Sequence, residues 1–122
     1  MNVKVKIWIE DNNQDLIFGS GKTEVLKYID QTGSISQAAR RVGMNYKKAW
    51  NHIQILQKHI EDDLVFTQKG RGENSGSTLS PKAREIIQTY EILEYDIKKY
   101  AQNRFNELFL TDDKYIINAK AN

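Results

Sequence analysis

The sequence predicts a mainly α domain with small β elements, ending in one long helix. Three observations predict it. Apolar residues recur at helical spacing through the middle of the chain, short β-prone segments flank that stretch, and Ser80-Pro81 opens a final amphipathic run. The chain has 122 residues, enough for one modest core. Its 39% hydrophobic and 28% charged residues are globular proportions. The absence of cysteine excludes disulfides and thiolate metal sites. No apolar run approaches the roughly 20 residues of a membrane span. Met1-Asn2-Val3-Lys4-Val5 lacks the apolar core of a signal peptide. A cytoplasmic protein with no membrane partner is the expectation.

At the N-terminus, Val3, Val5, Ile7 and Ile9 alternate with Lys4, Lys6, Trp8 and Glu10, a half-buried strand pattern. Asp11-Asn12-Asn13-Gln14 is a turn signal, and Leu16-Ile17-Phe18 is the partner strand of a hairpin. After Gly19-Ser20-Gly21, Val25, Leu26 and Ile29 share one face of a helix that ends near Thr32-Gly33. Ser34 and Gln37 match a capping box for a short helix, Ser36 to Val42, which Gly43 stops. Asn45 can cap the next helix, where Ala49, Ile53, Leu56 and Ile60 share a face.

Leu64-Val65-Phe66-Thr67 is β-prone, Lys69 to Ser77 is a Gly-rich basic loop, and Thr78-Leu79 can return as a second strand. Ser80 then caps a helix with Pro81 in its first turn. Ala83, Ile86, Tyr90, Leu93, Ile97 and Tyr100 form its main stripe, and Ala101, Phe105 and Leu108 continue it. A helix of about 30 residues would run about 40 Å. So small a domain cannot cover both faces of it, so Ile86, Tyr90, Leu93, Ile97 and Tyr100 are candidate dimerisation residues. The alternative is that the helix folds back on its own domain. The expected organisation is residues 1–80 as the main domain, 81–110 as the dimerisation helix and 111–122 as a polar tail.

Net charge is only +2, but its distribution is uneven. From Gly33 to Ile60 there are five basic residues, Arg40, Arg41, Lys47, Lys48 and Lys58, and no acidic one. From Lys82 onward each sign occurs seven times. A local basic stretch in a balanced chain suits phosphate binding, although a solvated helix face has the same composition.

The centre of the chain, Gly33 to Trp50, carries the pattern of a helix-turn-helix. Ala38 and Ala39 let a crossing helix approach, Gly43 permits the tight turn, and Val42 and Met44 can seal the corner. With Ala49, Ile53 and Leu56 inward, Lys47, Lys48, Asn51, Gln54 and Lys58 point outward, as donors and amides suited to base edges and phosphates. Asn45, Tyr46, Lys47, Lys48 and Asn51, near the N-terminal end of this second helix, are the candidate base contacts. Ser36 and Gln37 are candidate phosphate contacts, while Arg40 and Arg41 are either contacts or ordinary exposed charges. The strand–loop–strand that follows makes a wing, whose Lys69 and Arg71 reach a neighbouring groove or touch nothing. The predicted fold is a winged helix-turn-helix with an N-terminal β-hairpin and a long C-terminal dimerisation helix.

Gly33-Ser34-Ile35-Ser36-Gln37-Ala38-Ala39, followed by Tyr46-Lys47 and Ala49-Trp50, resembles the N-terminal domain of the ModE family of molybdate-responsive regulators. More distantly it is similar to LysR-type DNA-binding domains. The likeness runs from about Lys4 to Phe109 and includes Leu79-Ser80-Pro81. The resemblance implies a homodimer on an inverted-repeat operator in double-stranded DNA, controlling molybdate transport or molybdoenzyme genes. Full members of the family carry a C-terminal molybdate-binding region of small β-barrel repeats. This chain ends at Asn122, and Ile116 to Asn122 is similar to the opening of such a repeat. The expectation is an excised DNA-binding half or a member without its sensor. No cofactor is expected in this chain, and molybdate only where a longer protein supplies the sensor.

Other signals are weaker. Gly19-Ser20-Gly21-Lys22-Thr23 imitates the end of a P-loop, but Leu16 stands where the motif needs its first Gly. His52 and His59, seven apart without spaced carboxylates, make a poor metal site. Glu61-Asp62-Asp63 has no acid–base partner, so no enzyme is expected. Trp8, Trp50 and the six tyrosines are scattered, and read as core or dimer contacts rather than a single-strand stacking platform. The competing function is a winged-helix protein-interaction module that binds no DNA.

Overall fold

The structure, a computed structural model, describes residues 1–68, 76–111 and 115. In chain order these form β1 (Trp8–Glu10), β2 (Leu16–Gly19), α1 (Ser20–Thr32), α2 (Ile35–Arg41), α3 (Tyr46–Ile60), β3 (Val65–Gln68), β4 (Gly76–Leu79) and α4 (Pro81–Phe105). One π-helical turn, Asn106–Leu110, follows. The two sheets are antiparallel pairs, β1 with β2 and β3 with β4. The chain divides into a unit of Ile7–Tyr90 and a second unit of Met1–Lys6 with the described residues from Glu91 on.

The core of the first unit collects the apolar stripes of its helices. Val25, Leu26 and Ile29 of α1 meet Ala38 and Ala39 of α2 and Ala49, Ile53 and Leu56 of α3. Leu64, just before β3, and Leu79 of β4 close one side, and Phe18 of β2 stacks edge-on against Tyr90 at 4.9 Å between ring centres. Val42 and Met44 pack against this core at the corner between α2 and α3.

The helix boundaries follow the capping chemistry. Gly33, at φ 69°, ends α1 in the left-handed region, and its N–H donates to the Ile29 carbonyl. The Gln37 N–H donates to Ser34 Oγ at 3.1 Å, and the Lys48 N–H donates to Asn45 Oδ1 at 2.8 Å. Gly43, at φ 75°, makes the turn between α2 and α3. The Ala83 N–H donates to Ser80 Oγ at 3.1 Å at the start of α4.

Several expectations are corrected. The N-terminal strand pairs only over Trp8–Glu10, because Trp8 already lies opposite Gly19 and α1 starts at Ser20. Beyond that point no partner strand is left, and the Val3 N–H donates instead to Gln102 Oε1 within the second unit. Ile60, the last residue of α3, stands 38% exposed and is not part of the core. The first unit runs on through Ala83, Ile87 and Tyr90, which join its core. Residues 69–75 of the Gly-rich loop and the segment from Ile116 lie outside the described residues, while Gly76 and Ser77 already belong to β4.

Leu26 is 1% exposed at the centre of this packing. Leu26→Ala should lower unfolding free energy in urea by about 2–5 kcal/mol with an unchanged denaturant slope. A loss below about 1 kcal/mol would displace it from the core.

Candidate nucleic-acid interface

Helix α3 is built with two unlike faces. Its residues advance by about 100° each, so Ala49, Ile53 and Leu56 fall together and are buried. Lys47, Asn51, Gln54 and Lys58 fall together on the opposite side, and all four are exposed. This outer stripe offers two ammonium groups and two carboxamides, a set that fits phosphates and base edges. Asn45, Tyr46 and Lys48 are also exposed, at the end of α3 that Asn45 caps.

The two flanks of α3 differ as well. On one, Gln57 Oε1 accepts the N–H groups of Leu64 and Val65 at 2.9 and 3.1 Å, fastening the start of β3 to the helix. Tyr46 and Trp50 share this flank. Tyr46 joins Ser34, Ser36, Thr67 and Gln68 around an open cleft of about 240 Å³. On the other flank lie Lys48, His52 and His59, and His59 Nε2 stands 3.6 Å from Asp11 Oδ2 of the hairpin turn.

Ser36 and Gln37 are exposed in the first turn of α2, so α2 and α3 bring nine of the expected contact residues to solvent within this unit. Lys69 and Arg71 lie outside the described residues. Arg40 and Arg41 diverge: the Arg41 guanidinium covers the Tyr28 ring at 5.5 Å, while no such contact involves Arg40 among the described residues. Trp50 was expected among the core or dimer contacts, yet it is 42% exposed. Its helical position beside Tyr46, four residues earlier, was the signal for that.

The candidate dimerisation stripe divides between the two units. Ile86 packs on the first core, and Tyr90 is 4% exposed with its hydroxyl donating to the Ile7 carbonyl. Both therefore contribute to the first core, Tyr90 within it and Ile86 packed partly buried against it. In the second unit Leu93 and Tyr100 are exposed and Ile97 is half-buried. Ile92 and Tyr95, absent from the expected stripe, are 62% and 64% exposed. At about 100° per residue these two fall together on a face beside the stripe drawn from Ile86, not on it.

The P-loop imitation becomes the start of α1. Lys22 is buried, and its Nζ donates to the Leu16 carbonyl at 2.6 Å, while Thr23 Oγ1 donates to Gly19 O. Burial holds the Lys22 amine below its usual range. Among the described residues no cluster of three metal-ligating side chains occurs, and no helix is long and apolar enough to cross a membrane.

Burial, then the charges of Lys22 and Lys48, hold the His52 imidazole below its usual 6.5. Its Nδ1 is buried with no hydrogen-bond partner among the described residues. A neutral ring tolerates this, whereas an imidazolium would bury an unsatisfied N–H. The unfolded chain therefore protonates first as pH falls. The stability that this neutral ring contributes is complete above about pH 6.5 and is lost as pH falls through its folded value. Thermal melts from about pH 7 down to about pH 5 should fall more steeply for the natural protein than for His52→Gln. Parallel slopes would remove His52 from this role.

Comparison with known proteins agrees with the geometry. Residues 22–84 match the family model of bacterial regulatory helix-turn-helix proteins, lysR family. The chain is 33% identical over 81 residues to the transcriptional regulator ModE of Haemophilus influenzae, covering 66% of this chain and 32% of that protein. It is 34% identical over 80 residues to the DNA-binding transcriptional dual regulator ModE of Escherichia coli, covering 66% and 30%. It is 33% identical over 81 residues to the molybdenum-pterin-binding protein MopB of Rhodobacter capsulatus, covering 66% and 30%. These alignments take in about a third of each relative's length. The crystal structure of ArgP from Mycobacterium tuberculosis shares the fold at 13% identity and a TM-score of 0.50, over 70% of this chain and 30% of that one. The chain belongs to the lysR family of bacterial regulatory helix-turn-helix proteins, a family of DNA-binding transcriptional regulators and not of enzymes.

Proposed function

We propose that this chain reads an inverted-repeat operator in duplex DNA as a homodimer, and that the operator controls molybdate-transport or molybdoenzyme genes. The observation that carries the reading is the outer stripe of α3. Lys47, Asn51, Gln54 and Lys58 stand exposed in a stretch that contains no acidic residue from Gly33 to Ile60. A polyanion meets donors along this stripe, and Glu61, Asp62 and Asp63 border it only at its far end, beside Gln54 and Lys58. Asn45, Tyr46, Lys47, Lys48 and Asn51 are the proposed base contacts, with Ser36 and Gln37 against the backbone phosphates. The molybdenum connection is supported by the names of relatives such as ModE and MopB. We assign no molybdate site to this chain.

The homodimer is supported by the second unit. Ile92, Leu93, Tyr95 and Tyr100 expose large apolar surface within three turns of α4. Such surface is stabilised when a second copy covers it, and a two-fold dimer matches a two-fold operator. Sedimentation should find a dimer at micromolar concentration, and Leu93→Asp should shift it to monomer without unfolding the first unit. A monomeric natural protein would exclude this assembly.

The DNA reading is tested by fluorescence anisotropy. The fragment upstream of the organism's molybdate-transport genes is titrated against a scrambled control at two salt concentrations. The expected result is a preference for the specific fragment. Lys47→Ala and Asn51→Ala should each cost about 1–3 kcal/mol of that binding. Equal, steeply salt-dependent binding to both fragments would reduce the interaction to phosphate attraction. Binding to neither would reject the DNA reading.

A further inference from the structure

We infer that Trp50, with Tyr46 one turn before it, makes apolar contact with thymine 5-methyl groups in the major groove. The flank of α3 beside its polar stripe is then a specificity element. This inference rests on the DNA reading above and names one class of base that the site selects.

Tyr46 is 50% and Trp50 42% exposed, so the first unit leaves two large rings uncovered on adjacent turns of one helix. They stand next to Lys47 and Asn51 in the first two turns of α3, the end of a recognition helix that enters the groove. Single exposed apolar residues are ordinary, but a paired aromatic flank continuous with a polar binding stripe is an uncovered part of the same surface. The described elements of the unit do not cover it. Gln57 holds β3 against the same flank further along, and Tyr46 with Thr67 and Gln68 borders a cleft open to solvent.

Charge and chemistry select the occupant. Lys47 adjoins the rings, and the sequence from Gly33 to Ile60 has no acidic residue, so the partner that reaches this flank is an anion. In the major groove of duplex DNA the apolar group is the 5-methyl of thymine, which takes apolar contacts where the other base edges take hydrogen bonds. The polar stripe reads donors and acceptors, and the aromatic flank reads the methyl beside them. An indole also covers a methyl at little cost in side-chain freedom, because two dihedral angles fix it.

The test uses the whole chain and a duplex selected by it from a random library. Each thymine is replaced in turn by deoxyuridine, which removes only the 5-methyl. Anisotropy titrations should show a roughly fourfold loss of affinity at one or two positions, the scale of one buried methyl-sized group. With Trp50→Ala or Tyr46→Ser, thymine and deoxyuridine should bind alike at one of those positions. Thermal melting checks that each variant is folded, and the deoxyuridine scan of the natural protein needs no variant. If deoxyuridine is tolerated at every position, or if both variants keep the full methyl effect, the inference is overturned while the DNA reading stands. Failure to select any duplex overturns the DNA reading and this inference together.

Discussion

Three small side chains set the distance between the helices of the turn. Ala38, Ala39 and Ala49 are each at most 1% exposed, and they let α2 lie close against α1 and α3. Helices that meet through methyl groups approach at the short end of the usual spacing, and their ridges interlock at one crossing angle. That angle decides how the outer stripe of α3 is presented relative to α2. With the alanine contact in place, Lys47, Asn51, Gln54 and Lys58 are left outside as one continuous surface. A larger side chain at any of the three positions would have to be accommodated by moving α3, and with it the whole stripe.

Backbone hydrogen bonds then tie the wing to this arrangement. The Ser77 N–H donates to the Gly33 carbonyl at 2.8 Å, so β4 is held to the turn between α1 and α2. The Ser80 N–H donates to the Leu64 carbonyl, and the Gln57 side chain accepts from Leu64 and Val65. Gly76 fits this approach because a Cβ there would lie 3.2 Å from the Gly33 carbonyl oxygen. On the far side, Lys22 ties the start of α1 to the hairpin through the Leu16 carbonyl. Burying that amine costs desolvation, and its hydrogen bond offsets part of the cost. Its charge also raises the electrostatic cost of a proton on His52.

Local chemistry was legible in the sequence wherever a short segment carries its own instructions. Ser34, Asn45 and Ser80 cap the helices that follow them, because a cap needs only a hydroxyl or carboxamide a few residues from an unpaired N–H. Gly33 and Gly43 mark two left-handed turns for the same local reason, while Gln14 and Glu61 take that conformation without a glycine to signal it. The outer stripe of α3 was legible because helical period alone separates it from Ala49, Ile53 and Leu56. Periodicity was less informative for Val3 to Ile7, where alternation is present but no partner strand exists among the described residues. Whether an apolar stripe is covered also lies outside the reach of period, as Tyr90 and Trp50 demonstrate in opposite directions.

By itself, then, the sequence determined the order of elements, their caps and turns, and the polar face of α3. Each of these depends on residues within a few positions of one another. Tertiary structure decided the rest. It turned Tyr90 and Ile86 inward against Phe18 and the first core, left Tyr46 and Trp50 in water, and sent the Lys22 amine to a carbonyl instead of a phosphate. These outcomes depend on which distant segment fills the space beside a side chain. That is a property of packing in three dimensions, which spacing along the chain does not encode.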